Sequence, residues 1–456
     1  MTIAATSPAA VDIHDGLPNP RRIVAFLTVA LGIVMAVLDG TIVNVALPTI
    51  ALDQHATAAA SIWIVTGYQL AVVVALLPMA ALGEAIGFRK VFAAGIVIFT
   101  VASGLCAYSN SLLVLTLARM VQGLGGAALM SIAGALVRFI MPAKFLGRGI
   151  SWIAVTVAVS AAAGPTIAGG ILAISTWHWL FLINLPLGIL CFAIGRITLP
   201  ATPATGKRFD VVAATLNVLT LGPLISGLSS IGTRGIAWWV PTAQIAVAAV
   251  AGYFLVRRES AQKVPMLPID LLRIKAFRLA IVASITSFVA QMLMTVALPF
   301  YFSGTLGYSE IATGLLMTPW PAATAIIAPI SARLTERFSA ARTSGIGSLI
   351  FALGLISMIF LPAQPAVWDI AARLFVCGLG FGLFQSPNNK AMITSAPRQR
   401  SGGASGMQST ARLLGQSAGA ALTAIIFGLT AGYNLLLTMS VAAAFAIAAA
   451  ILSIWR

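Results

Sequence analysis

Fourteen times along its 456 residues the chain runs for about twenty residues almost without charge, and that recurrence leaves few folds open. The runs fall at approximately 23–47, 60–82, 88–108, 111–137, 149–174, 178–198, 211–232, 237–256, 277–301, 311–333, 343–362, 366–393, 405–430 and 432–455. A helix of about twenty residues crosses a hydrocarbon layer about 30 Å thick, and that layer tolerates no unpaired backbone group, so each run reads as one membrane-spanning helix. Charged residues make up 8% of the chain and mean hydropathy is +1.00, where a soluble domain carries about a quarter charged residues. A soluble globular protein is excluded, and an all-α polytopic membrane protein is expected.

The formal net charge of +16 would suggest nucleic acid as a partner in a soluble protein. Here the basic residues sit in alternate breaks between runs: Arg21-Arg22, Arg89-Lys90, Arg138 to Arg148, Lys207-Arg208, Arg257 to Arg278, Arg333 to Arg342 and Arg398 to Arg400. The opposite breaks hold only Arg234. That alternation is the positive-inside pattern of a multi-pass protein with both termini in the cytoplasm, and it is not a nucleic-acid surface. Residues 1–22 read as a short disordered cytoplasmic tail, because the apolar run that follows is too long for the core of a cleaved signal peptide. Cys106, Cys191 and Cys377 each fall inside an apolar run without metal-ligand spacing, so free thiols are expected. With no phosphate-binding Gly-rich loop, and His14, His55 and His178 in a tail, a loop and a span end, neither an ATP-driven pump nor a membrane hydrolase is favoured. No enzyme activity, metal or cofactor is expected.

The chain also repeats itself. Gly123-Leu124-Gly125 is matched by Gly378-Leu379-Gly380, Gly164 by Gly419, Pro142 by Pro397, and the stretch from Leu82 to Gly87 by that from Leu334 to Ser339. One such echo is chance in Gly-rich helices, whereas a shared order at a nearly constant offset is not. The expected halves are residues 23–198 and 277–456, each with six spans; two spans without counterpart and their cytoplasmic linkers fill 199–276. Paired repeats with a central site between them are the physical basis of alternating access.

Within this apolar background two charges stand out. Asp39 lies late in the first run and Arg119 about a third of the way through the fourth. A charge near mid-bilayer costs about 3 kcal/mol or more, so an intramembrane acid is expected to face a polar cavity. The alternatives are an Asp capping a helix near an interface and an Arg bonded to backbone carbonyls. A cation beside a carboxylate favours its charged form and desolvation its neutral form, so a moving helix can switch which prevails.

The stretch from Leu38 to Pro48 is similar to the first-span motif of the fourteen-span drug:proton antiporters of the major facilitator superfamily. Trp63 to Tyr68 resembles that family's second-span opening, Trp177 to Gly188 its sixth-span signature, Leu117 to Ala128 its fourth-span Arg motif, and Gly164 to Gly170 its antiporter motif. The resemblance covers nearly the whole chain and implies the major facilitator fold with fourteen transmembrane helices, protons as coupling ion, and roles for Asp39 and Arg119 in proton coupling. Proline and glycine at Gly164-Pro165 imply a bend and a close helix contact that serves gating. Glu84 to Lys90 occupies the place of the superfamily's cytoplasmic loop motif but departs from it: Glu84 stands for the usual Asp, Ala85 for the usual Arg and Ala80 for the first Gly.

These readings converge on a proton-coupled exporter of small amphipathic compounds in a bacterial inner membrane, with a uniporter or importer and a non-transport sensor as the alternatives. A monomer is expected, with a periplasmic adaptor as an open possibility. Gating is assigned to Glu84, Arg89, Glu336, Gly164 and Pro165, with Glu84 docking on the helix N-terminus near Ser401 to Ser405 or simply pairing with Arg89 in water. Substrate contact is assigned to Asn44, Gln291, Trp320, Gln385, Asn388, Asn389, Gln408 and Arg412, which could equally be helix-to-helix hydrogen-bonding groups. Asp39 is expected to hold a cationic substrate when ionised and release it when protonated, one proton per substrate; as the only carboxylate placed well inside a span it supplies too little buried charge for dications, so neutral or monocationic compounds are expected to dominate.

Overall fold

The computed structural model describes residues 16–202, 209–230, 236–260, 269–396, 401–430 and 433–456. Among them are fourteen helices long and apolar enough to cross a membrane. In chain order these are α1 (Arg21–Asp53), α2 (Ala58–Ile86), α3 (Phe88–Ala107), α4 (Leu112–Ile140), α5 (Leu146–Ile174), α6 (Trp179–Thr198), α7 (Val211–Ser230), α8 (Trp239–Ser260), α9 (Lys275–Gly304), α10 (Glu310–Thr335), α11 (Ala340–Ile359), α12 (Val367–Ser395), α13 (Ser401–Leu429) and α14 (Leu435–Ile454). No strand occurs among the described residues. Helix starts follow capping chemistry: Ser111 accepts from the Val114 amide at 3.3 Å, Ser309 from Ala312 at 3.3 Å and Asn434 from Leu437 at 2.9 Å, each meeting a donor that the first turn leaves free. The largest departure from the expected limits is α1, which continues through Pro48 to Asp53. Residues 16–20 also depart from the expected disordered tail, because the Leu17 amide donates to the Ile140 carbonyl at 3.0 Å.

Packing repeats across the two halves. In the first, α2 packs on α4, α3 on α4 and α6, and α1 on α5 and α6; in the second, α10 packs on α12, α11 on α12 and α14, and α9 on α13 and α14. Across the seam α2 meets α13, α10 meets α5, and α1 meets α9, as a two-fold exchange of the halves requires. The matched glycines serve this pattern. A side chain at Gly123 would stand 2.6 Å from the Tyr68 carbonyl, and one at Gly378 would press on the Trp320 carbonyl in the same way, so only glycine lets α4 approach α2 and α12 approach α10. Tyr68 and Trp320 thereby take equivalent places in the two halves. Outward faces are apolar, as Val97, Val101 and Leu105 on α3 show.

At the end opposite the basic breaks, one apolar cluster joins the halves, from Leu47 and Phe181 to Phe300 and Phe427. At the basic end each half keeps its own, one around Phe92 and Leu136 that takes in only Leu413 from the second half, and one around Phe277 and Met392. Cys106, Cys191 and Cys377 are buried and free.

The two unmatched helices pack on each other, and α7 also touches both α2 and α13. Pro78 in α2 has no N–H to offer the Val74 carbonyl four residues earlier. Asn217 of α7, itself buried, donates to that carbonyl at 2.8 Å. Asn217→Leu should therefore lower stability by about 1–3 kcal/mol, the cost of a buried acceptor left unmet. In a Pro78→Ala background the restored amide should absorb most of that loss, a comparison that thermal unfolding in detergent reads directly.

Candidate functional site

Arg119 reaches across from α4 to α1, where its Nη1 donates to Asp39 Oδ2 in a fully buried ion pair. A buried charge is tolerated when neighbouring groups meet its hydrogen-bonding capacity, and both partners here have several further polar contacts. Asp39 Oδ1 accepts from Gln122 Nε2 at 2.9 Å and from Asn184 Nδ2 at 3.0 Å. Arg119 Nη1 also donates to Gln122 Oε1 at 2.6 Å, and Nε to the Ile64 carbonyl at 3.4 Å. Gln122 in turn donates to Ser103 Oγ at 2.7 Å. The guanidinium lies 4.2 Å from the centroid of Tyr68 and 5.6 Å from that of Phe181, contacts favourable to a desolvated cation.

Five helices thus meet in one network: Asp39 from α1, Ile64 and Tyr68 from α2, Ser103 from α3, Arg119 and Gln122 from α4, Phe181 and Asn184 from α6. Trp177, just before α6, adds a tie by donating from Nε1 to Asp53 at 3.1 Å. Sequence reasoning placed Asp39 and Arg119 but gave Gln122, Ser103 and Asn184 no role. Gln122 was recoverable, since it lies one helical turn from Arg119 and on its face.

Beside this network is a central cavity, with about 930 Å3 of atom-free space in and around its mouth. Its wall comes from α1, α2, α4 and α5 of the first half and α9, α10 and α13 of the second. Of the expected contact residues, Asn44, Gln291, Trp320 and Arg412 line it, joined by Gln69, Thr295 and Gln416, which sequence reasoning missed. Gln385, Asn388, Asn389 and Gln408 are not among its lining residues. Asn388 instead donates to the Ala280 carbonyl at 3.0 Å and accepts from Arg456 Nη1 at 2.8 Å, which makes it a tie between α12, α9 and the chain's last residue.

Asp39 does not face the cavity either, and this corrects the expected direct hold on substrate. The wall between them is Tyr68, whose ring lies over Arg119, whose phenol donates to the Ala36 carbonyl at 2.9 Å, and which itself lines the cavity.

The gating residues divide. Gly164 sits against Thr41 of α1, where an added Cβ would stand 2.8 Å from the Thr41 Cβ, and Pro165 lines the cavity. One turn on, α5 crosses α10: a side chain at Gly314 would stand 2.5 Å from the Pro165 carbonyl. Nearby, Thr49 donates to Glu310 Oε1 at 3.2 Å and the Thr166 and Thr318 hydroxyls lie 2.6 Å apart. These contacts hold the halves together at the end away from the basic breaks. At the basic end, Arg89 donates from its guanidinium to the Arg196 carbonyl and from its amide to Thr202 Oγ1 at 3.2 Å, tying α3 to the end of α6. Glu84 is exposed near the end of α2, which packs along α13. The side chains of Glu336, Ser401 and Ser405 and the residues Pro397 to Arg400 lie outside the described residues.

Two pseudo-symmetric six-helix halves around a central cavity, with a buried ion pair inside one of them, define a membrane transporter. The sequence pattern of the Major Facilitator Superfamily matches residues 29–420, and the chain belongs to that family. It is 52% identical over 96% of both chains to the uncharacterized transporter YebQ of Escherichia coli (strain K12). It is 31% identical to the multidrug resistance protein Stp of Mycobacterium tuberculosis (strain CDC 1551 / Oshkosh), over 89% of this chain and 75% of that one. Among solved structures, a POT family transporter in complex with 5-aminolevulinic acid superposes with a TM-score of 0.71 over 94% of both chains at 15% identity, a likeness of fold alone.

Proposed function

We infer that the chain is a proton-coupled antiporter that exports small amphipathic compounds by alternating access across a bacterial inner membrane, with both termini cytoplasmic. One observation carries the reading: Asp39 and Arg119 form a buried, hydrogen-bonded ion pair one aromatic ring away from a central cavity. Protonating Asp39 would remove the counter-charge of Arg119, and the guanidinium holds α2 through the Ile64 carbonyl and the Tyr68 ring. Tyr68 is also cavity wall, so proton binding and substrate binding are coupled through it without touching each other. The expected competition for Asp39 is thereby replaced by an indirect one.

The contacts among Thr49, Glu310, Pro165 and Gly314 close the far end, while the apolar clusters at the basic end stay almost separate. With the basic end cytoplasmic, this is a state closed to the outside. The resemblance to a protein named for multidrug resistance supports export of amphipathic compounds.

The test uses purified protein in liposomes loaded with the pH dye pyranine, under an imposed pH gradient. Fluorescent amphipathic compounds, anionic, neutral and cationic, are added in turn. Antiport requires that a transported compound moves uphill and that protons move with it in the opposite sense. Transport that runs unchanged after an ionophore collapses the gradient would make the protein a uniporter.

A further inference from the structure

We propose that the central cavity takes small organic anions that carry hydroxyl or N–H donors on an apolar, ring-sized body, with the Arg412 guanidinium as the group that reads their charge. The proposal rests on the cavity being the substrate site and adds the substrate's chemical class.

Among the described lining residues there is no carboxylate, lysine or histidine, and the one charged side chain is Arg412. Asp39, the acid that a cationic substrate would need, is held by Arg119, Gln122 and Asn184 on the other side of Tyr68. Arg412 is in no ion pair among the described residues and donates no hydrogen bond to any of them. A guanidinium offers five N–H donors in a planar fork that fits a carboxylate with two parallel bonds. Arg119 and Arg412 are thus opposite cases in one protein: the first is paired with a carboxylate within the fold, and the second lines the cavity without one.

A second, independent observation concerns the neutral polar groups. Asn44 and Gln69 are 8% and 6% exposed, both line the cavity, and their amide oxygens have no hydrogen-bond partner. The Gln291 amide oxygen is in the same situation. Pro48, Pro165 and Pro299 add to these, since each lies inside a helix and lacks the N–H that would meet the carbonyl four residues earlier. Those carbonyls belong to Asn44, Ala161 and Thr295, all in the cavity wall. At two prolines away from the cavity a neighbouring helix meets the freed carbonyl: Asn217 donates to Val74 behind Pro78, and Ser331 donates to Leu383 behind Pro387 at 3.4 Å. The Asn44, Gln69 and Gln291 amide oxygens, without a partner in the fold, suit a molecule bearing several donors. Trp320, Tyr68, Met292 and Met317 supply the apolar wall that a ring would pack on.

Charge then sets the electrical signature. Expelling a monoanion for one proton taken up moves two positive charges inward per cycle, so both the pH gradient and an inside-negative potential drive export.

The experiment measures equilibrium binding to the full-length protein in detergent without any gradient, so its outcome is independent of proton coupling. The probes are 3-hydroxy-2-naphthoate, its neutral amide 3-hydroxy-2-naphthamide, and the cation tetraphenylphosphonium, read by quenching of protein tryptophan fluorescence. The naphthoate should bind about tenfold or more tighter than either of the others, as a charge-assisted bidentate pair requires. Arg412→Gln should reduce the preference for naphthoate over the amide to about threefold or less, and Arg412→Lys, which keeps the charge but loses the fork, should fall between Arg412→Gln and the unaltered protein. Thermal unfolding and gel filtration establish that each variant is folded. The proposal is overturned if the amide or the cation binds as tightly as the naphthoate, if none of the three binds, or if the preference for the anion survives in Arg412→Gln.

Discussion

Asp39→Asn should abolish gradient-driven transport and lower stability, and the two effects should separate in a double variant. Removing the carboxylate charge leaves Arg119 buried without its counter-ion, and breaking a buried pair from one side costs about 3–5 kcal/mol. Replacing both partners by neutral groups of similar size removes the unpaired charge, so Asp39→Asn with Arg119→Leu should regain most of the lost stability. Coupled transport should stay absent in both variants, because neither can alternate between an ionised and a protonated acid. Unfolding in detergent gives the first quantity, and uphill movement of a transported compound under an imposed pH gradient gives the second. Uphill transport retained by the folded double variant would remove the pair from the coupling mechanism.

Tyr68→Ala should convert coupled exchange into a proton leak. The ring is what stands between the ion pair and the cavity, being 3% exposed, packed on Arg119 and hydrogen-bonded to the Ala36 carbonyl. Deleting it lets cavity water reach Asp39 and Arg119, and proton flux should then proceed without substrate. Truncating a buried aromatic ring costs about 3 kcal/mol or more, so the variant is compared with Tyr68→Phe. The phenylalanine keeps the ring and loses only the bond to Ala36, worth about 1 kcal/mol, and should remain coupled. Pyranine-loaded liposomes report the leak directly. A Tyr68→Ala protein that is folded and proton-tight would show that the seal lies elsewhere.

The carboxylate and the guanidinium were legible in the sequence because each was an isolated charge in an apolar run, and so were the fourteen spans and the glycine echoes. The partners of that pair were less legible. Asn184 and Tyr68 lie within recognisable motifs, yet nothing local says that one binds Asp39 and the other walls it off from the cavity. Arg412 was one of eight polar or aromatic candidates, and four of those eight, Gln385, Asn388, Asn389 and Gln408, lie away from the cavity.

The sequence by itself determined depth: which residues lie in spans, how many spans there are, and how the halves repeat. Tertiary structure alone decided azimuth, the direction in which each side chain leaves its helix. In a soluble protein an apolar stripe tells which face of a helix turns inward. In a membrane, lipid and neighbouring helices are equally apolar, so α9 runs apolar on every side and its sequence does not show that Gln291 and Thr295 turn toward the cavity. Close approaches of Gly415 and Gly419 on α13 to Ile285 and Val289 of α9, and of Gly164 on α5 to Thr41 of α1, constrain those rotations. Asp39 faces Arg119 within the first half, and Arg412 is the one charged residue among those lining the cavity.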